Sequence, residues 1–173
     1  MNTPADSEVH QQILDLIKTI PMFERLADEE IQRIYGICTL KRYGDNELMY
    51  EFGTPSDDLF ILMDGRLVAR TPTDVDIAHI TPIGVVGEMG LIMDQPRSAN
   101  VVALEDSMGF QISKRDLICL FLADGAICRK VLLNLVKILS TKLYATNAEI
   151  QRLREEQTQA VTANDQSDNI FLY

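Results

Sequence analysis

Histidine and cysteine, the residues that most often build metal sites, are scarce in this chain. Of its 173 residues, two are His and three are Cys. His10 and His79 are far apart with no evident third ligand, and Cys38, Cys119 and Cys128 follow no metal-binding spacing. Thiols in this number and arrangement are typical of reduced cysteines in the cytosol. We therefore expect no metal ion and no cofactor.

Positive charge is also in short supply. The chain has 16 Lys and Arg residues against 26 Asp and Glu residues, which gives a formal net charge of −10. This acidity disfavours nonspecific binding to nucleic acid or to an anionic membrane. No apolar run approaches the ~20 residues of a membrane span, and the N-terminal residues lack the features of a signal peptide. The composition thus predicts a cytoplasmic chain of one domain, in which any bound anion is held by a local device.

Glycine and proline are missing from the C-terminal part of the chain. The last glycine is Gly125 and the last proline is Pro96, so nothing interrupts a helix after that point. Between about Thr39 and Ser113 the apolar residues instead recur with a period of two, in short segments separated by turns. Many short strands without long helices between them predict a jelly-roll barrel. The candidate strands are Thr39–Tyr43, Glu47–Glu51, Leu59–Met63, Arg66–Thr71, Val75–Ile80, Ala99–Glu105 and Met108–Ile112.

Helical segments are expected on both sides of this barrel. An apolar stripe from Ile13 to Ile20 ends at Pro21, and a second helix is expected to start with Asp28 as its cap. The fold class is therefore mainly β with flanking helices, a double-stranded β-helix (jelly-roll) barrel with N-terminal helices and a long C-terminal dimerisation helix. The expected bounds are N-terminal helices over 7–36, the barrel over 37–113 and C-terminal helices over 114–156, which together form one domain over 1–156, and a flexible acidic tail over 157–173.

The long C-terminal helix carries an apolar seam with heptad spacing. The seam consists of two sets of residues, each spaced by seven: Leu132, Leu139, Thr146 and Leu153, and Val136, Leu143, Ile150 and Gln157. Because it is sustained over three heptads, the seam predicts a parallel homodimer through residues 130–156. A single amphipathic helix packed on its own domain is the alternative.

The tail beyond this helix ends in four apolar residues, Ile170, Phe171, Leu172 and Tyr173. That end is either a frayed terminus or a short docking peptide.

The most informative stretch covers residues 83–101. Gly87 and Gly90 allow the backbone to approach a ligand closely, and a helical turn that starts at Glu88 would offer unpaired amides to an anion. Arg97 can hold two phosphate oxygens with its planar guanidinium group. Glu88 would repel a phosphate, but it can accept a hydrogen bond from a sugar hydroxyl. These groups together suit a nucleotide that carries a single phosphate charge, and they suit a triphosphate poorly.

This stretch resembles the phosphate-binding cassette of cyclic nucleotide-binding domains, as in the catabolite activator protein family and the regulatory subunits of cyclic-nucleotide-dependent kinases. The family's pattern is a run of Phe-Gly-Glu-Leu-Ala-Leu, a short loop, and Pro-Arg-Ser/Thr/Ala-Ala-Thr-Val. The matching residues are Gly87, Glu88, Met89, Gly90, Leu91, Pro96, Arg97, Ser98, Ala99 and Val101. The likeness extends over about residues 20–155 and includes the hairpin at Leu59–Leu67. The departures, at Val85-Val86, Asn46 and Asn100, remove no phosphate contact.

The resemblance implies a role for each group in the cassette. Glu88 would accept a hydrogen bond from the ribose 2′-hydroxyl, while Arg97 and the amides near Gly90 hold the cyclic phosphate. In the bacterial transcription-factor branch, a Thr followed by a small polar residue on the long helix reads the purine, and Thr146 and Asn147 take that place here. The implied ligand-binding residues are Val86, Gly87, Glu88, Met89, Gly90, Leu91, Arg97, Ser98, Ala99, Thr146 and Asn147.

The sequence predicts a sensor and not an enzyme, because no nucleophile, acid–base pair or metal cluster is supported by position. We expect a cyclic mononucleotide as ligand, with cyclic AMP favoured over cyclic GMP, and a protein partner that receives the signal through the long helix. Only about 20 residues follow that helix, too few for a helix-turn-helix domain, so direct DNA binding is not expected. The alternative is a degenerate fold that acts as a ligand-free dimeric adaptor. Arg97→Glu is expected to abolish nucleotide binding and to leave the melting temperature of the ligand-free protein unchanged.

Overall fold

The computed structural model of this chain describes residue 11 and residues 13–168, with the side chains of all of these except residues 91–93 and 158–168. Within these residues the helices are α1 (residues 13–18), α2 (Asp28–Tyr35), α3 (Glu88–Met93), α4 (Lys114–Ala123) and α5 (Gly125–Asp168). The strands are β1 (Cys38–Tyr43), β2 (Leu48–Tyr50), β3 (Asp58–Asp64), β4 (Leu67–Arg70), β5 (Asp76–Ile80), β6 (Val85–Val86), β7 (Asn100–Ala103) and β8 (Ser107–Ser113). A short 3-10 turn at Pro21–Phe23 separates α1 from α2.

The strands form two four-stranded antiparallel sheets, one in the order β1-β8-β3-β6 and the other in the order β2-β7-β4-β5. In the first sheet β3 pairs along its length with β8, and Phe60 of β3 lies opposite Val86 of β6. In the second sheet Leu67 of β4 lies opposite Ala103 of β7. The predicted mainly β fold with flanking helices is confirmed. All seven candidate strands form, with ends shifted by a few residues at most.

The first sheet is buried on both faces at β3. Successive side chains of a strand point to opposite faces, yet all four residues from Leu59 to Leu62 are buried. Phe60 and Leu62 belong to a buried apolar cluster that also includes Tyr50, Leu67, Val86, Val101 and Ala103. Each fully buried side chain of this size contributes about 1.5–3 kcal/mol to folding. Because β3 is anchored on both faces, the residues at its start are held in a rigid frame.

Three expectations from the sequence are corrected at the level of single elements. The N-cap of α2 is Ala27 and not Asp28, because the Ala27 amide donates to Glu30 Oε2 at 2.7 Å. Strand β6, with only two residues, was not predicted because it is too short to show an alternating pattern. Helix α5 continues to Asp168, beyond its predicted end near Glu156, because no glycine or proline stops it. Residues 170–173, the predicted docking peptide, lie outside the described residues.

The chain divides into two compact units, Met1–Asn134 and Leu135–Tyr173. The first contains both sheets, and the described part of the second is the remainder of α5. In this second unit the seam residues Val136, Leu143, Ile150 and Leu153 are 44–61% exposed. None of the helices among the described residues combines the length and the apolar character needed to cross a membrane.

Candidate functional site

The predicted cassette begins where β6 ends. Strand β6 is held against β3, and the chain then turns at Gly87, which has φ of 85° and caps the start of α3. A Cβ atom on Gly87 would lie 2.5 Å from Arg97 Nη1 and 2.8 Å from the Asp58 carbonyl oxygen. Both the positive φ and the lack of space therefore require glycine at this position. This turn brings the start of α3 against the guanidinium group of Arg97.

Arg97 is held in place by its backbone as well as by its side chain. Its amide donates to the Thr54 carbonyl oxygen, and its own carbonyl accepts from the Gly53 amide, both at 2.9 Å. The side chain is only 6% exposed. Nη1 donates to the Asp58 carbonyl oxygen at 2.8 Å, and Nη2 donates to Asp58 Oδ1 at 3.1 Å. The guanidinium group also lies 3.5 Å above the centre of the Tyr50 ring, a cation–π contact.

Asp58 is the acceptor at the centre of this network. Its Oδ1 accepts from Arg97 and from the Tyr50 hydroxyl, and its Oδ2 accepts from Gln111 Nε2 at 2.8 Å. Burial raises the pKa of the Tyr50 hydroxyl, and its hydrogen bond to the Asp58 carboxylate raises that pKa further. Tyr50 is therefore a neutral donor to the carboxylate. The buried cation and the half-buried anion are paired, and each has further polar or aromatic partners, which is the condition for keeping such a pair inside a protein.

The other residues predicted for the cassette lie around this network. Val86 and Glu88 are buried, while Ala99 is half-buried. Ser98 is exposed and its hydroxyl lies 3.9 Å from the sulfur of Met89, which is itself half-exposed. Leu91 is part of α3, but its side chain is outside the described residues.

The carbonyl oxygen of Gly90 accepts from Lys114 Nζ at 3.2 Å, and the same ammonium group donates to Asp94 Oδ1 at 2.5 Å. This contact holds the pKa of the Asp94 carboxyl below its usual value, chiefly through the hydrogen bond from Lys114. Lys114 thus ties α3 and the residue after it to the start of α4.

Thr146 and Asn147, the predicted purine-reading pair, are exposed residues of the second unit. The Thr146 hydroxyl donates to the Lys142 carbonyl oxygen of its own helix at 3.0 Å.

Asp58, Tyr50 and Gln111 were not predicted from the sequence. One signal was available for Asp58, since the acidic pair Asp57-Asp58 directly precedes the apolar run of β3. An acidic side chain at the entry of a buried strand needs a partner, and Arg97 was the obvious cation. Nothing in the local pattern of Tyr50 or Gln111 indicates their contacts. Gln111 is 53 positions from Asp58, and Tyr50, although only 8 positions from Asp58, lies on a strand of the other sheet.

A cavity of about 540 Å³ lies elsewhere in the first unit. Its lining residues are Asp45, Asp64, Gly65, Leu104, Glu105 and Asp106. Four carboxylates in one wall would repel a phosphate, so this cavity is unsuited to a nucleotide.

Gly90 is packed directly against Ser56, and this contact leads to a stability prediction. A Cβ on Gly90 would lie 1.7 Å from Ser56 Oγ and 2.2 Å from Ser56 Cβ. Gly90→Ala is therefore expected to lower the free energy of unfolding by about 1–3 kcal/mol, as overpacking does. Ser56→Gly removes both clashing atoms, so the double variant should regain most of the loss in urea unfolding. A double variant as unstable as Gly90→Ala alone would show that the clash is not the cause.

Comparison with known proteins finds a family match for the middle of the chain. The family model of the cyclic nucleotide-binding domain matches residues 40–124. Glutaminase 1 of Bradyrhizobium diazoefficiens is 29% identical over 133 residues, which are 77% of this chain and 22% of that protein. The chain thus spans about a fifth of the length of the curated relatives that it matches first.

Solved structures share the fold. The catabolite activator protein of Thermus thermophilus is similar with a TM-score of 0.65 and 25% identity, covering 77% of this chain and 62% of that one. The regulatory domain of Toxoplasma gondii PKA, solved with cAMP, gives a TM-score of 0.66 at 18% identity and covers 79% of this chain and 52% of that one. The predicted jelly-roll fold is thereby confirmed. Residues 40–124 of this chain thus match the cyclic nucleotide-binding domain family, and the chain shares the fold of these solved structures.

Proposed function

We propose that this chain binds a cyclic mononucleotide at Gly87, Glu88, Gly90 and Arg97, and that it signals to a protein partner through its long helix. The observation that carries the proposal is the place of Arg97. In a chain with a net charge of −10, this cation is 6% exposed and touches the glycine turn at the start of α3. A cyclic phosphate with one negative charge needs a local cation of this kind, because the overall field of the protein repels it.

The cassette offers a separate partner to each part of the ligand. Arg97 supplies the planar guanidinium group that suits two phosphate oxygens, and Ser98 adds an exposed hydroxyl close by in sequence. Glu88 would accept from the ribose 2′-hydroxyl, as the family resemblance implies. The Toxoplasma regulatory domain with the same fold was solved with cAMP, which supports a cyclic nucleotide as the ligand class. Cyclic AMP remains our preferred ligand over cyclic GMP, on the basis of Thr146 and Asn147.

A ligand-free dimeric adaptor is the second candidate function. The observation in its favour is that Asp58 already satisfies Arg97 through its carbonyl and its carboxylate. A domain that had exchanged its ligand for an internal counter-ion would show this pairing.

Calorimetric titration of the full chain with cyclic AMP, cyclic GMP and 5′-AMP separates the two functions. Binding of a cyclic nucleotide, with 5′-AMP much weaker, supports the sensor. The absence of heat with any of the three, repeated at a second temperature to avoid a zero-enthalpy coincidence, supports the adaptor. Chromatography of the nucleotide after incubation tests for turnover, which we do not expect.

Thr146 gives a test of how the purine is chosen. The side chain is exposed and its hydroxyl bonds only locally in the described structure, so Thr146→Ala should leave the fold of the first unit unchanged. We expect the ratio of cyclic AMP to cyclic GMP affinity to fall about fivefold to tenfold, the size of one lost hydrogen bond. Thr141→Ala is the control, because Thr141 makes the same local bond to Lys137 in α5. An unchanged ratio in Thr146→Ala would exclude Thr146 from base recognition.

A further inference from the structure

We infer that Asp58 is a built-in competitor of the ligand phosphate, which occupies Arg97 in the ligand-free domain and must release it for binding. The inference rests on the proposed function. It adds a residue, outside the predicted cassette, that sets the affinity of the site.

The geometry of the Arg97 contacts carries this inference. Asp58 contacts Arg97 with two oxygens. Its carbonyl oxygen lies 2.8 Å from Nη1, and its carboxylate oxygen Oδ1 lies 3.1 Å from Nη2. Two acceptor oxygens facing two adjacent guanidinium nitrogens form the same arrangement that a phosphate makes. One face of the guanidinium lies on the Tyr50 ring. Because Asp58 takes one N–H of each terminal nitrogen, a phosphate that binds this same Nη1–Nη2 edge has to replace both Asp58 oxygens.

The surroundings of Asp58 favour both its contact with Arg97 and the breaking of that contact. The Tyr50 hydroxyl and Gln111 Nε2 both donate to its carboxylate. When Arg97 leaves, these two donors still solvate the carboxylate, so the cost of separating the ion pair is reduced. Tyr50 thus contacts both ions, the cation through its ring and the anion through its hydroxyl. In the proposed exchange, the Tyr50 hydroxyl keeps its bond to Asp58 after Arg97 has turned to the phosphate.

This arrangement makes binding a competition between two anions for one cation. The apparent dissociation constant equals the intrinsic one divided by the fraction of molecules in which Arg97 is available. A neutral residue at position 58 raises that fraction. A charged acceptor holds a donor about twice as strongly as a neutral one, so the gain is expected to be about tenfold or more.

The test is calorimetric titration of cyclic AMP into the full-length wild type and Asp58→Asn. We expect the dissociation constant to fall about tenfold or more in the variant, together with a lower melting temperature of the ligand-free protein. Glu105→Gln is the matched control. It removes one negative charge from an exposed pair with Arg66, and it should leave the affinity unchanged. A similar gain in the control would show an effect of overall charge and would overturn the inference.

The remaining outcomes separate this inference from the proposed function. If the wild type binds and Asp58→Asn binds equally or more weakly, Asp58 is not a competitor, although the nucleotide site stands. If neither protein binds cyclic AMP or cyclic GMP, the proposed function fails and the inference fails with it. Should Asp58→Asn not fold, a crystal structure of the wild type with cyclic AMP decides. Loss of the bond between Arg97 Nη2 and Asp58 Oδ1 supports the competition, and its retention overturns it.

Discussion

Arg97→Glu is expected to lower the free energy of unfolding of the ligand-free protein by about 3–5 kcal/mol, the usual cost of breaking a buried ion pair from one side. The new carboxylate would lie beside Asp58, which has lost its cation, and the cation–π contact with Tyr50 would also be gone. The expectation from sequence alone, an unchanged melting temperature, is therefore replaced. Urea unfolding monitored by circular dichroism measures the difference.

Arg66→Glu is the control for this variant. It makes the same change of charge at a pair with Glu105 in which Arg66 is 61% exposed. Exposed pairs contribute little, so we expect a loss of about 1 kcal/mol or less. Equal losses in the two variants would contradict the structural role of the Arg97–Asp58 pair.

Loss of binding in Arg97→Glu is ambiguous, because an unstable protein can also fail to bind. The double variant Arg97→Gln with Asp58→Asn removes both charges together and avoids leaving either one buried alone. We expect this variant to fold and to have no measurable affinity for cyclic AMP. Retained affinity in the double variant would exclude Arg97 from phosphate binding.

We propose that the chain dimerises through the seam of α5, and Leu143→Glu is then expected to convert this dimer into a monomer. Leu143 is 61% exposed in the single chain, and its seam neighbours Val136 and Ile150 are 58% and 44% exposed. In a parallel pair of helices each buried Leu contributes about 1.5–3 kcal/mol, and the substitution acts once in each chain. The dimer dissociation constant should therefore rise about a hundredfold or more. Sedimentation velocity distinguishes the 19.5 kDa monomer from its dimer.

The adjacent residue provides the control for the seam. Tyr144 is 77% exposed and does not belong to the seam, so Tyr144→Glu should leave the dimer intact. Thermal unfolding at low protein concentration should be the same for both variants, because neither side chain is buried in the single chain. If the wild type is already monomeric at high concentration, or if both variants dissociate, the seam is not the dimer contact.

Local sequence pattern was sufficient for most of the secondary structure. Period-two alternation identified seven strands, and the absence of glycine and proline after Gly125 identified the long helix. It failed where an element was too short to have a period, as at Val85–Val86. It also failed at the end of α5, where polar composition suggested a tail although no residue stops the helix.

The cassette could be found in sequence because its residues are neighbours. Gly87, Glu88 and Gly90 lie on one turn, and Arg97 follows soon after. The partner of Arg97 could not be found in this way. Asp58 is 39 positions from Arg97 in the sequence. Gln111 is 53 positions from Asp58, and these two residues meet only because β3 pairs with β8.

The amino-acid sequence by itself determined the family resemblance, the strand pattern and the glycine turn, because these depend on residue type and on spacing along the chain. Only the tertiary structure decided that Arg97 is enclosed and already neutralised. That state depends on tertiary contacts, which bring the Asp58 carboxylate of one sheet and the Tyr50 ring of the other against one guanidinium group, with the Gln111 amide bonded to the carboxylate. The resulting burial strengthens each of these interactions, and it also strengthens the repulsion between the Asp58 carboxylate and any anion that binds near Arg97.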